Sequence, residues 1–144
     1  MQTSLETIVG DFELLDEWED RYRYIIDLGK ELEVLPPASQ TEANKVQGCV
    51  SQVWLETKIG DGSDPVLDFK GMSDAHIVRG LVALVLAIYS GKQASEIIAT
   101  DALEILKSLG LDQHLSPQRS NGLKAMVQRI KRDAQAAMAS QSLH

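Results

Sequence analysis

Residues Val50 to Gly71 read VSQVWLETKIGDGSDPVLDFKG, and the spacing of apolar residues here decides the class of fold. Val50, Gln52, Trp54 and Glu56 fall on one side of an extended segment, and Ser51, Val53, Leu55 and Thr57 fall on the other. β-Branched and aromatic residues are enriched, so this alternation, which sets in from Val46, predicts a strand. GDGSDP, Gly60 to Pro65, supplies turn residues, and VLDFKG after it reads as a second strand. An antiparallel hairpin follows. A third strand is expected from the residues just before Cys49.

On both sides of the hairpin the period is helical. Thr3 and Glu6 have capping-box spacing ahead of Leu5, Ile8, Phe12 and Leu15. Trp18, Tyr22, Ile25 and Ile26 continue until Gly29, as a second helix or as one helix bent at Leu15 to Glu17. Two consecutive prolines in ELEVLPPASQTEAN prevent that helix from continuing. After the hairpin, Ser73 or Asp74 is expected to cap an almost wholly apolar helix ending near Gly91. Ser95 is expected to cap a short helix, Asp101 with Glu104 another that Gly110 stops, and Ser116–Pro117 to open a long one carrying Leu123, Met126, Val127, Ile130 and Ala134. The class is α+β, a small antiparallel sheet of two to three strands covered on one face by several helices. No repeat or long linker divides residues 1–144, so one domain is expected, with 140–144 as a fraying tail.

With 144 residues, 44% hydrophobic and 24% charged, the composition is that of a soluble globular domain. A net charge of -7 repels polyanions, which argues against nucleic acid as a partner. The most apolar run, Ile77 to Tyr89, is about two thirds of the roughly 20 residues a bilayer span requires, and it contains Arg79. No membrane segment is expected. The N-terminus shows neither a secretory leader nor an arginine-rich transit peptide, so a cytoplasmic location is expected, where a lone thiol persists.

Cys49 is the only cysteine and His76, His114 and His144 are the only histidines. None has metal-ligand spacing, and one cysteine is too few to hold an Fe–S cluster; a site made of carboxylates is left open. GDGSDP lacks the lysine and following helix of a phosphate loop, and no Gly-x-Ser-x-Gly elbow occurs. A free cysteine is usually a small buried apolar residue. Here, however, it stands beside Gly48, where a proline-bearing loop enters a strand and another group can approach the backbone closely. A reactive thiolate would need a cation or a helix N-terminus nearby, with His76, Lys45 and Arg119 as candidates. A hydrolytic nucleophile would need His76 or His114 as a base held by Asp or Asn, and nothing local signals that arrangement.

Four ordered blocks now point to one family. NKVQGCVSQVWL, Asn44 to Leu55, resembles the cysteine-loop signature of the SufE family of sulfur acceptors. GMSDAHIVRGLVAL is similar to that family's Ser-Asp-Ala helix start, LSPQRSNGLKAM to its Ser-Pro…Arg-Ser…Gly-Leu segment, and Trp18 to Gly29 to its first aromatic block. The resemblance implies a SufE/IscU-like fold and a persulfide carrier rather than an enzyme. Cys49 would accept sulfane sulfur from a cysteine desulfurase of SufS or CsdA type, whose pyridoxal phosphate belongs to the desulfurase. Sulfur would then pass to an Fe–S scaffold such as SufBCD, and this chain would bind no cofactor or metal of its own.

The resemblance also gives supporting positions. Gly48 would let the loop bend, and Gln47, Ser51 and Gln52 would hydrogen-bond around the thiol or its partner. Asp74 would cap a helix and shape the surroundings of Cys49, and Arg119 would stabilise thiolate or contact the desulfurase. Val53 and Trp54 read as packing, and Asn121, Gly122 and Leu123 as helix-entry geometry. A cysteine-dependent small-molecule enzyme and a structural protein with an inert thiol are the rival readings, and a homodimer is left open.

Overall fold

The computed structural model describes residues 3–48 and 51–142, with side chains through residue 139. Cys49 and Val50 lie outside the described residues, as do Met1, Gln2, Leu143 and His144. Helix α1 spans Leu5–Leu14 and α2 spans Trp18–Lys30, so the N-terminal pattern is two helices. The break falls at Leu15 to Glu17. Phe12 of α1 meets Trp18 and Tyr24 of α2 edge to face, with ring centres 6.4 and 5.7 Å away. The Tyr24 hydroxyl donates to Asp11 at 2.5 Å, and burial together with that carboxylate pushes the phenol well above its usual range.

The expected cap of α1 is displaced by one residue. Ser4 accepts from the Thr7 amide, whereas Thr3 donates its amide and hydroxyl to Glu31 at 2.9 and 2.8 Å. A carboxylate is the stronger acceptor for both donors, so a contact 28 residues away overrides the local box.

Strands β1, Val53–Ile59, and β2, Val66–Ser73, form the hairpin in a register from Val53↔Ser73 to Ile59↔Leu67. The Gly60 amide closes the turn on the Val66 carbonyl at 2.8 Å. Val53, Leu55, Leu67, Phe69 and Gly71 are buried, while Val66, Asp68 and Lys70 are exposed, so one face is covered. Two expectations are corrected. The first strand begins at Val53 and not Val46, because the chain doubles back between them and Val46 donates to the Val53 carbonyl at 2.8 Å. The residues before Cys49 contribute one bridge, Lys45↔Trp54, and the third strand is β3, Lys92–Gln93, on the far side of β2.

Helix α3, His76–Tyr89, is buried from Gly80 through Leu86 and at Ile88 and Tyr89, enclosed by α2, β2 and the last helix. Its crossing with α2 brings backbone against backbone. A side chain on Gly80 would overlap the Ile25 carbonyl, and one on Gly29 would lie 2.7 Å from the Gly80 nitrogen. Gly29 is therefore a packing residue and not a helix stop, and α2 continues to Lys30.

Helices α4, Ala94–Ala99, α5, Ala102–Ser108, α6, Leu111–His114, and α7, Pro117–Ser142, complete the chain. Asp101 caps α5 as expected, accepting from Glu104 at 3.2 Å. Ser95 does not cap α4. It lies in the first turn and donates its amide and hydroxyl to Asp64 at 2.8 and 2.5 Å, so the hairpin turn covers that helix end. These bonds hold the Asp64 carboxyl below its ordinary value of 3.8. The short α6 was not foreseen, and α7 is helical to Ser142, which narrows the tail expected from residue 140. Among the described residues no helix is long and apolar enough to cross a membrane.

Candidate functional site

The loop that contains Cys49 leaves and re-enters the sheet through a narrow neck. The Val46 amide donates to the Val53 carbonyl at 2.8 Å, and the Leu55 amide to the Asn44 carbonyl at 2.7 Å. Gln47, Gly48, Ser51 and Gln52 lie beyond it, and Cys49 and Val50 are outside the described residues. Gly48 has φ +92°, a left-handed conformation that glycine adopts without penalty, and a side chain there would pack 3.4 Å from the Ala125 methyl of α7. Gln47 is exposed.

Asp74 holds the outgoing limb. The Gln52 amide donates to its carboxylate at 3.1 Å, and the Asp74 amide returns a bond to the Gln52 carbonyl at 3.3 Å. The expectation that Ser73 or Asp74 caps α3 is thereby corrected: the N-cap is Ala75, with no side-chain bond. Ser73 is buried and accepts from the Ala75 amide at 3.3 Å, ahead of the first helical turn.

A cleft of about 310 Å³ opens beside this limb. Ile77, Val78, Leu81 and Met126 form its apolar floor, and Ser51, Ser116 and Arg119 stand around it. Three sequence blocks far apart in the chain, around Ser51, Ala75 and Arg119, thus meet on one surface. The first turns of α3 and α7 both border the cleft, and each helix N-terminus carries a partial positive charge of about half a unit. Ser116 caps α7 by accepting from the Arg119 amide at 3.3 Å. The Arg119 guanidinium is exposed and makes no ion pair with the described residues. The site thus combines an apolar floor, two helix N-termini and the exposed Arg119, with the Asp74 carboxylate beside it on the outgoing limb.

The other candidates are placed elsewhere. His76 is exposed at the start of α3 and does not line the cleft. His114 stacks on Trp18 with ring centres 3.8 Å apart, and its carbonyl accepts from the Tyr22 hydroxyl, so it serves the α2–α6 contact. Lys45 belongs to the neck. Val53 is fully buried and Trp54 half-buried, as packing residues should be. Gly122 borders the cleft, a turn beyond the helix entry assigned to it. Among the described residues no group of three or more His, Asp or Glu side chains could hold a metal ion.

Sequence reasoning missed the polar anchor of the loop. Arg129 of α7 donates to the carbonyls of Ala43 and Lys45 at 2.7 and 3.4 Å, and to Asp133 at 3.2 Å. Asp133 also accepts from the Thr57 hydroxyl at 2.7 Å. The only signal in the sequence was an Arg and an Asp four residues apart on one helix, a spacing common on solvated faces.

Comparison with known proteins agrees with this architecture. The family model described as SufE, Fe-S metabolism associated domain, matches residues 6–134. An uncharacterized SufE-like protein of Rhizobium meliloti (strain 1021) is 61% identical over 137 residues, covering 94% of this chain and 98% of the relative. Another from Rhizobium etli is 58% identical over 138 residues, covering 95% and 93%. The solution structure of a hypothetical protein from Thermus thermophilus shares the fold, with a TM-score of 0.72 at 17% identity, covering 94% of this chain and 96% of that one.

Proposed function

Because the chain belongs to the SufE family, whose domain is associated with Fe–S metabolism, we propose that it is a sulfur acceptor and persulfide carrier with Cys49 as the accepting thiol. The observation that carries this reading is the meeting of Ser51, Ala75 and Arg119 around one cleft, beside the loop that holds the sole cysteine.

The chemistry is thiol exchange. The Cys49 thiolate attacks the outer sulfur of a persulfide on the donor's cysteine, a new S–S bond forms, and the donor's S–S bond breaks with its thiolate leaving. No electrons enter or leave the pair. Arg119 and the two helix N-termini favour the attacking thiolate and the persulfide anion that it becomes. In this reading the sulfane sulfur is held against the apolar floor, away from water and soluble thiols. In the second exchange a recipient thiolate takes that sulfur and Cys49 is regenerated.

The donor in this reading is a pyridoxal-phosphate-dependent cysteine desulfurase of SufS or CsdA type, whose turnover rises as its persulfide is removed. The recipient is an Fe–S scaffold such as SufBCD. The protein is then an activator in the cytoplasm with no cofactor of its own. Incubation with a desulfurase and cysteine, followed by intact-mass measurement, should show a gain of one sulfur that is absent from Cys49→Ser. Equal gain in that variant would sink the reading.

A further inference from the structure

The cleft and Cys49 leave one polar cluster without a part in the chemistry. Arg129 and Asp133 lie one turn apart on α7 with side chains only 20% and 22% exposed. An exposed pair of this spacing contributes little. This one is part-buried and tied on every side. Asp133 receives the Arg129 Nε and the Thr57 hydroxyl, which fixes the guanidinium in its plane. Its two terminal nitrogens then reach the carbonyls of Ala43 and Lys45. One cation joins the limb before Cys49 to α7 and, through Asp133, to the strand after it.

The same stripe of α7 continues to the cleft. Gly122, Ala125, Arg129 and Asp133 follow one another at spacings of three or four residues, which places them along one helical face. Gly122 borders the cleft, Ala125 lies under Gly48, and Arg129 with Asp133 holds the neck.

We propose that Arg129 is a positioning residue for sulfur transfer, fixing on α7 the backbone that leads into Cys49; the proposal rests on Cys49 being the acceptor. It touches no sulfur. Its effect is to order the limb before the donor arrives, so that no ordering is needed at the encounter. When only a fraction of molecules holds a competent loop, apparent affinity falls by that fraction. Lysine cannot replace it, because a single ammonium does not span two carbonyls and a carboxylate as a planar fork does.

The test uses the full chain as wild type, Arg129→Gln, Arg129→Lys and Thr57→Val. The rate of Cys49 alkylation by iodoacetamide is measured in the native protein and in urea, and the ratio of the two is taken. The wild-type ratio should differ from one, both Arg129 variants should move it toward one by about threefold or more, and Thr57→Val should move it less in the same direction. A wild-type ratio of one overturns the proposal, as does an unmoved ratio in a folded Arg129→Gln, or full recovery by lysine. If Arg129→Gln does not fold, Thr57→Val decides between the same two outcomes.

With a pyridoxal-phosphate-dependent cysteine desulfurase and cysteine, Arg129→Gln should raise the half-saturating concentration of this protein about tenfold while leaving the plateau rate within about twofold. A fallen plateau at unchanged half-saturation overturns the positioning role. Failure of the wild type to gain sulfur defeats the acceptor reading instead, and the alkylation ratios still decide whether Arg129 sets the state of the thiol.

Discussion

Gln52 and Asp74 are joined by two hydrogen bonds, the Gln52 amide giving to the Asp74 carboxylate at 3.1 Å and the Asp74 amide to the Gln52 carbonyl at 3.3 Å. Together they fasten the limb that follows Cys49 to the start of α3.

Replacing Asp74 by alanine removes one of these bonds and leaves the other. The group is exposed, so the cost in stability should be about 1 kcal/mol or less. The larger effect should fall on Cys49, whose alkylation rate should move toward that of the unfolded chain. Asp74→Asn keeps an oxygen acceptor and should retain most of the wild-type rate. A wild-type alkylation rate in Asp74→Ala would remove the carboxylate from any part in holding the loop.

Arg119 should act on the thiol and not on the fold. Its side chain is exposed and forms no ion pair with the described residues, so Arg119→Ala should leave the melting temperature nearly unchanged. If the proposed carrier holds its thiolate at this cleft, the midpoint of the pH profile for Cys49 alkylation should rise, slowing the reaction several-fold at neutral pH, because a nearby cation favours the ionised thiol. An unchanged midpoint would place Arg119 outside the electrostatics of the site.

Two glycines give opposite outcomes on substitution by alanine. At Gly80 the new methyl group would overlap the Ile25 carbonyl, so α2 and α3 must separate, and stability should fall by about 3 kcal/mol or more. At Gly10, inside α1, a Cβ meets nothing within 4 Å, and the gain in helix propensity should be about 0.5–1 kcal/mol. Urea denaturation reads both. A stable Gly80→Ala would contradict the close crossing of the two helices.

Acid should release α4 from the hairpin through Asp64. The two bonds from Ser95 hold this carboxyl below its ordinary value of 3.8. A carboxyl depressed in the folded state contributes stability that is full above its unfolded value and is lost as pH falls through the folded one. Melting temperature should therefore drop below about pH 4, and Asp64→Asn should flatten that part of the profile while lowering the plateau at neutral pH. Equal acid dependence in the two proteins would show that other carboxylates control it.

Much of this molecule was legible where neighbours in sequence decide the outcome. The alternation through Trp54 and Leu55, the GDGSDP turn, the apolar α3 and the Ser116 start of α7 are all local patterns, and they formed as expected. The errors share one cause. Thr3 was drawn to Glu31, Ser95 to Asp64, and Asp74 to Gln52, each a side chain with an obvious nearby cap that found a partner at least 22 residues away. Strand β3 has only two residues and no period of its own, and exists because it falls beside Val66 and Leu67. Arg129 was invisible for the same reason, its carbonyl partners lying 84 and 86 residues earlier. The blocks around Ser51, Asp74 and Arg119 were each readable, but their common cleft depends on how three elements stack.

The stripe from Gly122 to Asp133 also works as a gauge. A single residue inserted into α7 between these positions would turn everything after it by about 100° around the helix axis. The cleft would keep its wall while the neck lost Arg129, or the neck would keep its anchor while the wall rotated away. Eleven steps of chain therefore have a set length, 133 minus 122, in a way that no single side chain among them does. Across relatives, substitutions along this segment should be far easier to accommodate than any change in its number of residues.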